Sequence, residues 1–454
     1  MDNNSLMQRR AGVLLHPTSL PSGTLDDAEK WIDWLEHCHF SVWQMLPLSI
    51  PDSYGSPYQS HSAFAMNTDL VSNHSPRPDV FPAEFSRFVE QQSDWLIDFA
   101  LYNLLKKQFD GQAWHQWPEE YKRRDEATLL SFQSENLQVI DEVMWHQFEI
   151  FQRWLQVHQY ARSKNIYLFG DIPIFVALDS SDVWANPDQF LLNEDLEPDY
   201  VAGVPPDYFS ETGQRWGNPH YNWEKMQSDG FSWWKKRIKH AFESFDIIRI
   251  DHFRGLQASW MIPAEEDTAI NGFWQETPGD ELLKALEQEF GKPAIVAEDL
   301  GEITDEVIEL RDKHKLPGMS ILQFAFDAFQ DNPHKPVNIK PPTVVYTGTH
   351  DNNTTAGWFQ ALLPNEQAFV FEVLQQEPRA DIAHCLIETA FNSNANTAIV
   401  PLQDLLQLDE TARMNTPGQT ENNWHWQFDW GQLDESLCNY SQQQIDASGR
   451  FNAN

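Results

Sequence analysis

Cysteine is almost absent: Cys38, Cys385 and Cys438 are the only three in 454 residues. Their number is odd and their spacing wide, so no disulfide framework or zinc pattern emerges. Basic residues are scarce. Lys and Arg total 31 against 68 Asp and Glu, a formal net charge of −37. So acidic a surface repels phosphate backbones and anionic lipid, which argues against nucleic-acid and membrane partners. No apolar run approaches the roughly 18 residues that a membrane-spanning helix needs. The start is polar and lacks the apolar core of a signal peptide, so a cytoplasmic protein is expected. There is no Gly-rich phosphate loop ahead of a helix, no nucleotide fingerprint and no metal cluster; no cofactor and no metal are expected. Aromatic residues, by contrast, are plentiful: 19 Trp, 29 Phe and 11 Tyr. Much of this belongs in a core, yet an excess of Trp also suits stacking on flat polar ligands such as sugar rings.

Eight short apolar runs read as strands: residues 12–15, 42–46, 166–171, 247–250, 294–297, 320–324, 343–346 and 397–401. Most are followed by a helical segment before the next, and several end in acidic residues. Helical patterns cover 28–37, 95–109, 142–163, 233–243 and 284–290. In the third of these, Met144, Phe148, Phe151 and Leu155 repeat at helical spacing, and His146 and His158 read as structural or solvated. Strand–helix alternation to eight predicts an α/β fold, a (β/α)8 TIM barrel, with helical and loop insertions at the C-terminal face of the strands. The whole of 1–454 is expected to be one catalytic domain, with a helical subdomain inserted at about 69–142 and an active-site loop at about 172–222. The loop signature 207–219 lies in the second insertion, and the polar, Trp-rich tail 409–430 is expected to fold back near the site.

The chain is organised around Ile247-Ile248-Arg249-Ile250-Asp251-His252-Phe253-Arg254-Gly255. An apolar run that stops abruptly in polar residues reads as a buried strand reaching its carboxyl end, where a parallel barrel places its chemistry. Taken alone, Asp251 is explained equally well as a helix cap or a solvated turn. Glu298 and Asp351 stand at the ends of two later strands. Structural ion pairs with Arg249 or Arg254 are the alternative for all three, but three corresponding strand ends weaken it. Three carboxylates in one mouth repel each other, so at least one should hold its proton near neutrality. An ionised carboxylate beside a protonated one is what cleavage of a glycosidic bond needs.

The ordered motifs Gly12 to Pro21, Ser56-Pro57-Tyr58-Gln59, Gly170 to Trp184, Gly213-Gln214-Arg215-Trp216-Gly217-Asn218-Pro219, the Asp251 stretch, Ala297-Glu298-Asp299-Leu300-Gly301, Gln323 to Asp327, Tyr346 to Asn352 and Ala412-Arg413-Met414-Asn415 resemble the amylomaltases. These are 4-α-glucanotransferases related to the α-amylases. The resemblance runs over nearly the whole chain. It implies transfer of α-1,4-glucan segments between maltooligosaccharides by a retaining double displacement. Asp251 would be the nucleophile, Glu298 the general acid and base, and Asp351 the residue that grips ring hydroxyls. Arg249 would keep Asp251 ionised. His252, His350, Asp171 and Asp327 are implied sugar contacts, Gln214 and Trp216 lie on a loop over the donor, and Ser56, Tyr58 and Asn415 are further contacts. The sequence departs from the pattern in lacking an Asp within Tyr54-Gly55-Ser56, in carrying Met66 where glycine is usual, and in its tail around Glu421 to Gln427. A retaining α-glucan hydrolase needs the same trio, and a non-catalytic glucan-binding protein is the reading from another class. Asp251 and Glu298 are expected at the retaining spacing of about 5–5.5 Å.

Overall fold

A computed structural model describes residues 4–206, 210–377 and 381–451. Its centre is a parallel sheet of eight strands: β1 Arg10–Leu14, β2 Val42–Gln44, β3 Tyr167–Ile172, β4 Ile247–Ile250, β5 Ile295–Ala297, β6 Gly318–Ile321, β7 Thr343–Tyr346 and β8 Thr397–Pro401. They pair in the order β6-β7-β8-β1-β2-β3-β4-β5. The two ends of that order meet where the Ala297 N–H donates to the Pro317 carbonyl at 2.8 Å, so the sheet all but closes on itself. All eight strands expected from the sequence are present.

The strands are short and buried on both sides, which is why they read as continuous apolar runs rather than alternating ones. Every residue of β4 is buried. At Gly170 in β3, an added Cβ would come within 2.3 Å of the Phe245 ring; a side chain there would push off the segment that leads into β4. Helices coat the sheet with one apolar stripe each. Helix Ala28–His37 buries Ala28, Trp31, Ile32 and Leu35. Helix Leu137–Ser163 buries Ile140, Met144, Phe148, Phe151, Trp154 and Ala161, with His158 buried beside Asp246 at 3.1 Å, a structural pair as expected.

A second, antiparallel sheet joins Gln214–Pro219, Tyr200–Val204, Ala258–Pro263 and Phe273–Glu276 in that order. The sequence predicts a loop over 214–219, and these residues form a strand: their mixed polar and ring side chains show no alternation, and the pairing partners lie outside the motif. Asp207, Tyr208 and Phe209, the start of that signature, lie outside the described residues. The cysteine expectation is also corrected. Cys38, which caps helix Ala28–His37, and Cys438 in the helix Glu435–Ala447 form a disulfide with Cα atoms 4.8 Å apart. Their separation of 400 residues hid the pairing from any spacing pattern. Among the described residues, no helix is long and apolar enough to cross a membrane.

Candidate active site

Register brings the charged residues together. Asp171 of β3 is level with Arg249 of β4, and Ile250 of β4 is level with Ala297 of β5. Level residues on neighbouring strands face the same side, and the side alternates along each strand. Asp171, Arg249 and Asp251 therefore share one face, and Glu298, one step past Ala297, stands level with Asp251. The ladder continues beyond the strands: the Asp251 N–H donates to the Ile172 carbonyl at 2.9 Å and the Glu298 N–H to the Ile250 carbonyl at 3.1 Å.

Arg249 is the hub, only 3% exposed. Its Nε and Nη2 donate to the two carboxylate oxygens of Asp171 at 2.8 and 2.7 Å. Nη2 also donates to Asp251 Oδ1 at 2.8 Å and lies 3.2 Å from Tyr58 Oη. The Tyr58 hydroxyl donates to Asp171 Oδ2 at 2.6 Å. Asp171 thus neutralises the buried guanidinium, which would otherwise be a costly isolated charge.

The two facing carboxyls have unequal surroundings. Burial pushes the Asp251 carboxyl above the ordinary carboxylate range; Arg249 opposes the rise, while Asp171 and Asp351 add to it. Burial also pushes the Glu298 carboxyl up, and the charge of Asp251 pushes it further. Among the described residues Glu298 is bonded to no cation: its Oε2 accepts the His252 N–H at 2.6 Å. With one cation bonded to one member only, the shared proton belongs on Glu298. His252 holds a left-handed backbone, φ 51°, where the chain turns off β4. That is a costly conformation for a non-glycine residue, of the kind that clusters at functional sites.

Asp351 reaches the same mouth from the loop after β7. Its Oδ1 accepts from Asn415 Nδ2 at 2.6 Å and lies 3.4 Å from His350 Nε2. The loop is anchored from below by buried Asp404, which accepts from the Thr347 hydroxyl at 2.5 Å and from the Thr355 N–H and hydroxyl at 2.7 Å each. The His350 ring stacks on Tyr58 with centroids 5.4 Å apart, and its Nε2 is 2.9 Å from the Tyr58 hydroxyl. Burial lowers the proton affinity of both His252 and His350, and because the Tyr58 hydrogen goes to Asp171, His350 Nε2 donates to the Tyr58 oxygen.

The remaining expected residues fall into two groups. Trp216 and Gln214 stand on the second sheet, which forms a wall beside the mouth. The Trp216 ring meets His252 edge-on with centroids 4.9 Å apart, and its Nε1 donates to Gln214 Oε1 at 3.2 Å. Ser56 Oγ accepts the Tyr58 N–H at 3.3 Å and so sets the turn that aims Tyr58. Asp327 stands apart. It is occupied within its own loop, accepting from the Phe329 N–H at 3.1 Å and Asn332 Nδ2 at 2.9 Å, with Lys335 at 3.4 Å. Two residues escaped the sequence reading. Arg413 donates to the Asp351 carbonyl at 2.6 Å and to the Asn415 carbonyl at 2.7 Å. Trp424, from the tail that was expected to fold back, packs on Tyr58 and His350 with centroids 5.9 and 6.1 Å away. Arg413 lay inside a recognised motif; for Trp424 the Trp-rich tail was the only signal.

The model of glycoside hydrolase family 77, described as 4-alpha-glucanotransferase, matches residues 14–81 and 72–433. The chain belongs to this family. It is 42% identical to the 4-alpha-glucanotransferase of Synechocystis sp., covering 96% of this chain and 97% of that one. Amylomaltase from Streptococcus agalactiae in complex with acarbose superposes with a TM-score of 0.93 at 32% identity, over 98% of this chain and 100% of that chain. The α-amylase of Geobacillus thermoleovorans shares the fold, with a TM-score of 0.51 at 9% identity over 97% of this chain and 79% of that one. The chain is a 4-α-glucanotransferase, and the reaction of its family is a double displacement with retention.

Proposed function

We propose that the chain transfers α-1,4-glucan segments between maltooligosaccharides, with Asp251 as nucleophile and Glu298 as acid and base. The observation that carries the assignment is the asymmetry of the pair: Arg249 donates to Asp251, while among the described residues Glu298 receives only a backbone N–H. Adjacent parallel strands lie about 4.8 Å apart. Level carboxyls on them suit a retaining pair at about 5–5.5 Å better than an inverting pair at about 6.5–9.5 Å.

In the first displacement Asp251 Oδ forms a bond to the anomeric carbon as the glycosidic C–O bond breaks. The Glu298 proton passes to the departing oxygen, which leaves as the free 4-hydroxyl of the released segment. Glu298, now a carboxylate, takes the proton from the 4-hydroxyl of an acceptor. That oxygen attacks the anomeric carbon, the bond to Asp251 breaks, and two inversions restore the α-linkage. Asp351, with Asn415 and His350 beside it, grips ring hydroxyls and steadies the flattened, positively charged sugar in the transition state of each displacement. Asp171, His252 and Tyr58 are further sugar contacts, as are Asn415 and Ser56 at the rim, with Asp327 a more distant one. Trp216 and Gln214 on the wall favour sugar over water as acceptor by excluding water from the intermediate.

The substrates are neutral glucans, in keeping with a surface of net charge −37 that would repel polyanions. The cytoplasm is the proposed location. The stretches at about 69–142 and 172–222 are proposed as insertions on a single catalytic domain. Product analysis on maltotriose tests the function. Glucose plus a ladder of longer maltodextrins is the expected result; a steady gain of reducing ends would make the enzyme a hydrolase, and unchanged maltotriose a binding protein.

A further inference from the structure

On the outside of the barrel, far from the strand ends in sequence, three metal-ligating side chains converge. His74 follows the turn Thr68–Leu70, and His146 and Glu149 are three apart on helix Leu137–Ser163, so they share its face. One ligand atom from each lies within 4.8 Å of the others. We propose that these three residues bind a divalent transition metal of the Zn2+ class.

The hydrogen bonds around the cluster carry the argument. His74 Nε2 lies 2.9 Å from the Thr68 carbonyl oxygen. That oxygen can only accept, so Nε2 bears a hydrogen. His74 Nδ1 then faces Glu149 Oε2 at 3.0 Å. In a neutral ring this sets one lone pair against another, and a cation has to lie between them, a proton or a metal. A proton accounts for His74 and Glu149 but not for His146. The His146 ring sits 4.5 Å from the His74 ring, tilted by 37°. Neither of its nitrogens has a hydrogen-bond partner among the described residues.

Two features match the surroundings of metal ligands rather than of a chance ion pair. The non-ligating nitrogen of His74 is fixed by a backbone carbonyl, the usual device that sets a ligand's tautomer. Glu149 Oε1 accepts the Ser75 N–H at 2.9 Å, which holds the carboxylate with Oε2 turned to the histidines. The backbone is also in place: Gln147, on the same helix, bonds both the N–H and the carbonyl of Met66 at 3.0 and 2.9 Å. Bonds of about 2.0–2.2 Å in a tetrahedron put ligand atoms about 3.3–3.5 Å apart, a small adjustment from the observed arrangement. Two imidazoles and one carboxylate suit Zn2+, Co2+, Ni2+ or Cu2+ rather than Mg2+ or Ca2+. Water would take the fourth position. The bound ion would clamp the segment around 68–75 to the outer helix. That segment continues, through Met66, from the loop that carries Ser56 and Tyr58.

The test is calorimetric titration of the chelator-treated full chain with Zn2+, alongside thermal unfolding, with Mg2+ as the control ion. One Zn2+ site per chain is expected, absent for Mg2+, with Tm raised by about 3 °C at a hundredfold excess over Kd. His146→Ala should abolish this site and its Tm response while the metal-free Tm stays unchanged, because the ring makes no hydrogen bond. Glu149→Gln, which keeps shape and one acceptor, should weaken binding at least tenfold. If wild type shows no site tighter for Zn2+ than for Mg2+ the proposal falls, and it falls equally if both variants titrate as wild type does, since the ion then binds elsewhere among the 16 histidines.

Discussion

The bottom of the mouth and its wall are built on opposite plans. At the bottom, Asp171 and Arg249 are 5% and 3% exposed and every charged oxygen of Asp171 has a donor. The charges there are held by one another, so removing any member strands the rest. The wall is a small antiparallel sheet that meets the mouth through half-buried rings. Trp216 touches His252 edge-on, and elsewhere on this sheet Tyr200 is 38% and Phe273 45% exposed. Ring contacts are individually modest and can be lost one at a time. On the proposed mechanism the two have different tasks: the bottom fixes where charge develops, and the wall favours which hydroxyl arrives. Substitutions on the two sides should therefore differ in kind as well as in size.

The largest effect belongs to Asp251→Asn. The amide keeps an oxygen for Arg249 Nη2, so the fold should survive with little change in Tm. Without a nucleophile, glucose release from maltotriose should fall by at least about 10⁴-fold, as when a nucleophile acting in a catalytic unit is removed. A variant within tenfold of wild type would take the nucleophile away from the bottom of the mouth.

Arg249→Met tests whether the bottom is one unit. It leaves Asp171 and Asp251 without their common cation, and losing one partner of a buried pair costs about 3–5 kcal/mol. Activity should fall together with stability. Urea unfolding measures this, and a stability loss confined to the size of a surface substitution would show that the bottom is not interlocked.

The pH profile separates the two carboxyls. With Glu298 as the proposed general acid, kcat should decline on the alkaline side by about tenfold per pH unit above a value well over the ordinary carboxylate one. Linkage gives the matching sign for stability. Folding raises the Glu298 value, so this group contributes its full stability at acidic pH, below the ordinary value, and loses it as pH rises through the raised one. Glu298→Gln should unfold with wild type at acidic pH and above it at alkaline pH. A Tm difference that shrinks as pH rises would contradict the assignment of the proton.

The same contrast explains what could be read in the sequence. The β4 run Ile247-Ile248-Arg249-Ile250 and the carboxylates that follow it were legible because a buried parallel strand writes itself as a short apolar run with its chemistry at the end. Helix Ala28–His37 was legible to the residue, since Trp31, Ile32 and Leu35 repeat at the helical period. The wall was not. Gln214-Arg215-Trp216-Gly217-Asn218-Pro219 is strand only because Tyr200–Val204 pairs with it, and no local period records that partner. Long-range pairs were hidden for the same reason: Cys38 with Cys438, Trp424 with Tyr58, and His74 with His146. For Asp327 the motif alone points to sugar; in the structure its oxygens accept from Asn332 and the Phe329 N–H.

On the wall, Trp216→Ala should act on partition rather than on chemistry. Losing one ring contact is worth about 0.5–1.5 kcal/mol beyond the area it buries. The ratio of hydrolysis to transfer should therefore rise by roughly tenfold while the consumption of donor changes less. Measuring glucose and reducing ends together reads that ratio directly. Equal losses of transfer and hydrolysis would place Trp216 with the bottom instead.

Salt should have the smallest effect, and it distinguishes both parts of the mouth from the outer surface. The surface carries the net charge of −37, and at physiological ionic strength interactions between exposed charges are screened beyond about 8 Å. Moderate salt should therefore ease self-repulsion and raise Tm slightly. The bottom is protected from it, because Arg249 and Asp171 are buried and their attraction passes through protein rather than water. The wall meets its ligand through rings that carry no charge. A neutral glucan feels no steering field, so KM for maltotriose should be flat across the same salt range. A KM that climbs steeply with salt would mean that a charged group on the ligand is being recognised, and neither the bottom nor the wall as described offers a place for one.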